Sequence, residues 1–88
     1  MYDNTGPVTR AMIDFNLSDA HEHMGALLQA IHDDPEFGEV EFRLGLAHIY
    51  AHLNRAWHQR KADDEDMADP TAHWKEWSKF PTDLEPLG

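Results

Sequence analysis

The stretch from Glu36 to Ala62, EFGEVEFRLGLAHIYAHLNRAWHQRKA, constrains this chain more than any other. Phe42, Leu46, Ile49, Tyr50, Leu53 and Trp57 recur at i, i+4, i+7, i+8, i+11 and i+15, one stripe of an α-helix. Each large apolar side chain gains roughly 1.5–3 kcal/mol on burial, so the stripe needs a surface to pack on. A helix of that span is about 40 Å long at 1.5 Å per residue. Acidic Glu36, Glu39 and Glu41 stand near its start and basic Arg55, Arg60 and Lys61 near its end, as the helix dipole prefers.

The partner surface lies just upstream. Ala20, Met24, Leu27, Leu28 and Ile31 form an apolar face that runs to His32 and stops at Asp33-Asp34-Pro35. Asn16 or Ser18 can cap this helix, with Asp19 and Glu22 placing negative charge in its first turn. So short a connection, with Asp34 as cap and Pro35 in the next first turn, implies an antiparallel hairpin of residues 17–32 and 36–62. Residues 7–17 carry two conflicting patterns. Val8, Ala11, Met12 and Phe15 fit a helix, whereas Thr9, Ala11, Ile13, Phe15 and Leu17 fit strand alternation. A lone strand would find no partner in this chain, which favours a short separate helix.

Asp63-Asp64-Glu65-Asp66 reads as a solvated linker, lacking the ligand spacing and central glycine of a calcium loop. Asp69-Pro70 then opens a last helix over TAHWKEWSKF, stopped by Pro81. Its Trp74 and Trp77 suit a buried clamp on the end of the central helix near Trp57. The fold expected is all-α, a single domain over 1–88. It is a small bundle of three to four helices on one hairpin, with extended ends at 1–6 and 81–88.

Composition narrows the function. Among 88 residues, 17 Asp and Glu face 7 Lys and Arg, a net charge of −10 that repels nucleic acid and anionic lipid. With no cysteine there is neither a disulfide nor a thiolate site. No secretory start or membrane-length apolar run is present, and the expectation is a soluble, cytoplasmic protein. No nucleophile elbow, phosphate loop or cofactor motif occurs, so no enzyme activity and no cofactor are expected.

Seven histidines are many for this length. His48 and His52 stand at i and i+4 on the central helix, the spacing that lets two imidazoles share one metal ion. The HExxH form is absent because position 49 is Ile, and a third ligand must come from another helix, with His21, His23 or Glu22 on offer. His21 with Gly25 four residues on also fits a phosphorelay histidine, but the basic residue that would assist transfer is missing.

Opposite its large stripe the central helix carries a second one, Val40, Leu44, Ala47 and Ala51, whose small members permit close helix approach. The sequence therefore favours a non-catalytic protein acting through self-association or a protein partner, most simply a homodimer joined at Leu44, Ala47 and Ala51. Metal binding at His48 and His52 is the alternative.

Overall fold

In the computed structural model, which describes residues 1–69 and 71–88, the chain is all-α. Helix α1 runs Pro7–Asp33 and helix α2 Glu39–Gln59. A short 3-10 helix follows at Asp64–Met67, and a single turn, α3, at Trp74–Trp77. Among the described residues there is no strand. The two long helices pack antiparallel, as expected from the hairpin signals, in a body 47 Å long and 22–25 Å across.

Helix α1 is continuous where the sequence suggested a break at 16–19. Pro7 sits in its first turn, and residues 7–17 are helical. Asn16 caps nothing. Its side chain, 2% exposed, is turned inward and bonds the Met12 carbonyl of its own helix and Gln59 of α2. The start of α1 is capped from a distance, for the Thr9 N–H donates to the Asp64 carboxylate at 2.8 Å. That bond holds the Asp64 carboxyl below its ordinary pKa. The acidic run 63–66 is thus a folded cap as well as a linker.

Helix α2 begins later than Pro35 suggests. The Asp34 carboxylate accepts from the Glu36 N–H at 2.9 Å, forming a turn before the helix. The helix then starts after Gly38, whose N–H is taken by the Glu41 carboxylate at 3.1 Å. Residues 1–6 are tied down, because Tyr2 N–H and the Thr5 hydroxyl both donate to the Arg60 carbonyl at the end of α2.

The helix interface is narrow and largely small or polar. Ile13, Ala20, Ile49 and Ala56 are buried in it beside Thr9, Asn16, His52 and Gln59. At Gly45 the helices come so close that a Cβ would lie 2.7 Å from Leu27 Cδ1. The expected apolar pairing is therefore displaced. Met24, Leu28 and Ile31 flank the contact and remain exposed, as do Phe42, Tyr50 and Leu53 on α2. The line of closest approach follows the small residues and the polar network, which must be buried together to keep its hydrogen bonds.

The aromatic clamp takes a different form too. Trp74 is 46% exposed, so the last segment does not dock as a buried plug. It is held by buried Asn54, which donates to the Ser78 carbonyl at 2.9 Å, and by Arg55, whose Nε donates to Ser78 Oγ at 2.8 Å. Further on, Asp83 accepts from Trp57 Nε1 and Arg60 at 2.9 Å, fastening residues 81–88, which carry no helix. The part of the last-helix expectation that concerns Pro70 lies outside the described residues. Among the described residues, no helix is long and apolar enough to cross a membrane.

Candidate functional site

Near the middle of the hairpin, Asp19 and His23 stand one turn apart on α1, opposite His48 and His52 on α2. The four side chains each present a donor atom within 4.8 Å of the others. Asp19 Oδ2 lies 2.5 Å from His52 Nε2 and 3.3 Å from His23 Nε2. The His23 and His48 rings are 4.0 Å apart, centre to centre, and His48 and His52 are 5.1 Å apart. The cluster is graded in exposure: His52 is buried, Asp19 and His23 are half-buried, and His48 is exposed.

This arrangement completes the pair seen in the sequence. Of the three candidates for a third ligand, His23 joins, while His21 and Glu22 face solvent outside the cluster. Sequence reasoning missed Asp19 because a carboxylate there was assigned to a helix start. The usable signal was the repeated spacing, Asp19/His23 on one helix and His48/His52 on the other. In an antiparallel hairpin two such i, i+4 pairs can face each other.

A second layer sets the chemistry of His52. Its Nδ1 is 2.8 Å from Asn16 Oδ1. Asn16 cannot turn over, because its Nδ2 lies 3.2 Å from the Met12 carbonyl, which can only accept, and also bonds Gln59 Oε1 at 2.9 Å. The asparagine oxygen therefore faces His52 and requires a proton on Nδ1. A neutral His52 then carries its lone pair on Nε2, aimed at the Asp19 carboxylate. Two acceptors face each other at 2.5 Å, which is unfavourable unless a positive charge lies between them. At that separation a proton satisfies the pair, and a metal ion would do so with the two atoms moved apart to about 3.3 Å. Burial works against the proton, lowering the His52 pKa below its ordinary 6.5 even though Asp19 pulls the other way. Arg55, His48 and His23 add to the lowering.

The expected interface stripe lies beside this cluster. Leu44, Ala47 and Ala51 line a cleft of about 600 Å³ whose wall also includes His48 and His52. Leu44 is 65% exposed, so the stripe is not absorbed into the core. Two features that the sequence presented as rivals thus share one surface.

Comparison with known proteins finds no matching family model, no matching curated protein and no matching solved structure.

The lowered pKa of His52 has a consequence for stability. The unfolded chain, with His52 at 6.5, binds its proton at higher pH than the folded chain does. The folded state's advantage is complete above that value and is lost as pH falls through it toward the lower folded value. In urea titrations of chelator-treated protein, the midpoint should fall between pH 7.5 and pH 5.5, and His52→Gln should flatten the fall. A midpoint independent of pH in the parent would contradict the assignment.

Proposed function

We propose that this chain is a metal-binding helical protein that holds one divalent transition-metal ion on Asp19, His23, His48 and His52. The observation that carries this reading is the orientation of His52, whose Asn16-bound Nδ1 leaves the Nε2 lone pair directed at the Asp19 carboxylate. A histidine that donates from one ring nitrogen to a fixed acceptor while offering the other is the usual arrangement at metal sites. Three imidazoles and a carboxylate, without thiolate, suit Zn²⁺ better than Mg²⁺ or Ca²⁺, which prefer all-oxygen shells. Bonds of about 2.0–2.1 Å would put the donors about 3.3 Å apart in a tetrahedron. Reaching that needs Asp19 and His52 to move apart from 2.5 Å while the wider pairs, at up to 4.8 Å, close in. The exposed His48 ring can supply the closing movement by rotation. The net charge of −10 also favours cation uptake.

Calorimetry should give one Zn²⁺ per chain. At a free concentration a hundredfold above Kd the ion stabilises by about 2.7 kcal/mol, a rise in Tm on the order of 10–20 °C for a chain of this size. His23→Ala and His52→Ala should each suppress the rise. Asn16→Ala should weaken binding about 10–100-fold while leaving all four ligands in place. No stabilisation by Zn²⁺, or a rise that survives the His48→Ala/His52→Ala double substitution, would refute the reading.

A second reading, self-association across Leu44, Ala47 and Ala51, is favoured by the exposure of Leu44 and of Val40 one turn away. It predicts a homodimer in sedimentation that Ala47→Glu converts to monomer, since like charges buried across a two-fold axis repel. Because Ala47 is exposed within the chain, the substitution should leave helix content unchanged. A parent that is monomeric throughout the micromolar range excludes this reading.

A further inference from the structure

The cleft beside the histidines has a composition that neither metal binding nor helix packing requires. Its walls are mainly apolar, with Phe15 from α1, Leu44 and Ala51 from α2, and Trp74 and Trp77 from α3. No carboxylate lines it among the described residues, although the chain as a whole is strongly acidic. A single guanidinium does. Arg55 stands one turn beyond Ala51, its Nε anchored to Ser78 Oγ at 2.8 Å and its charged carbon 4.3 Å from the Trp74 ring centre.

Those two contacts orient Arg55, and the Asp19 carboxylate behind His52 acts on its charge from a distance without pairing with it. Among the described residues, no Asp or Glu forms an ion pair with it, and its two terminal amino groups donate no hydrogen bond to protein. The contrast with Arg60 and Lys61 is direct, because both of those cations are paired with Asp83. A planar guanidinium presenting free N–H groups beside an apolar wall matches a carboxylate bidentately. At about 600 Å³ the cleft falls within the range of small-molecule sites.

We propose that this cleft binds a small amphipathic carboxylate, an aryl or short-chain acid, with its carboxylate on Arg55 and its apolar body between Phe15, Leu44, Ala51 and Trp74. The inference extends the metal-binding reading, because His48 and His52 form part of the same wall and a bound cation would add positive charge there. Arg55 recognises the anion with or without the metal, so the two readings can fail separately. A second copy of the chain seated over Leu44 and Ala51 would occupy the same space and exclude the acid.

The test uses 4-phenylbutanoate and its neutral amide as probes, with binding followed by calorimetry and by tryptophan fluorescence. Both Zn²⁺-loaded and chelator-treated full-length protein are titrated, and sedimentation is run in parallel. The acid should bind about tenfold more tightly than the amide, the factor that one charge-assisted contact of about 1.4 kcal/mol supplies. Arg55→Gln should remove that discrimination, and Arg55→Lys should keep part of it. Should Arg55→Gln lose its helix signal, Phe15→Ala, which trims a half-exposed side chain, should weaken acid and amide alike. Equal affinity for acid and amide, binding untouched by either substitution, or no binding to a monomeric parent would overturn the proposal. So would a dimer that the acid does not dissociate. Acid binding without Zn²⁺ uptake would uphold this proposal while removing the metal reading, and Zn²⁺ uptake without acid binding would do the reverse.

Discussion

The hydrogen bond from His52 to Asn16 is the contact on which the middle of this structure depends. It joins the two long helices at their centre, and it has no freedom of direction, because Met12 and Gln59 hold the asparagine amide. A buried network of this kind raises the demands on register. Sliding one helix past the other would leave Asn16, His52 and Gln59 buried without partners, and each such group costs about 1–3 kcal/mol. With six buried apolar residues among those described, polar contacts of this sort do much of the work of choosing one alignment.

The same register decides what faces the cleft and what faces water. Once the helices meet along Ala20, Asn16, Ile49 and His52, the larger apolar side chains fall to either side. Met24, Leu28 and Phe42 lie along the contact's flanks and Phe15 and Leu44 beside the cleft, all exposed. A core of small and polar residues thus goes with apolar flanks, and the flank beside the histidines carries the charge of Arg55. Several acidic side chains elsewhere have local tasks. Asp64 caps α1, Glu41 closes the start of α2, and Asp83 fastens the tail to Trp57 and Arg60.

Helical period and helix-end signals were enough to read the hairpin, since both report on local geometry. They were enough to put His48 and His52 on one face as well, because a single helix carries both. What they could not report was the rotation of one helix against the other. Met24, Leu28 and Ile31 look like a core stripe in isolation, and only the close approach at Gly45 and Leu27 turns them outward. Asn16 and Asp19 illustrate the same limit. Both residue types favour helix starts, and nothing local distinguishes a cap from a residue held in the middle of a longer helix by partners more than thirty positions away. The tryptophans misled for a related reason, since Trp74 finds its partner in a charged guanidinium at the surface and not in a core.

The claim on which the site rests is that Asn16 dictates the tautomer of His52. Long-range ¹⁵N–¹H correlation spectra of the metal-free protein near neutral pH measure it directly. Nδ1 should stay protonated throughout, Nε2 should be the nitrogen that gives up its proton as pH rises, and Asn16→Ala should lose that preference. A neutral His52 ring protonated at Nε2 and not at Nδ1 would contradict it, for the lone pair would then point away from the other candidate ligands.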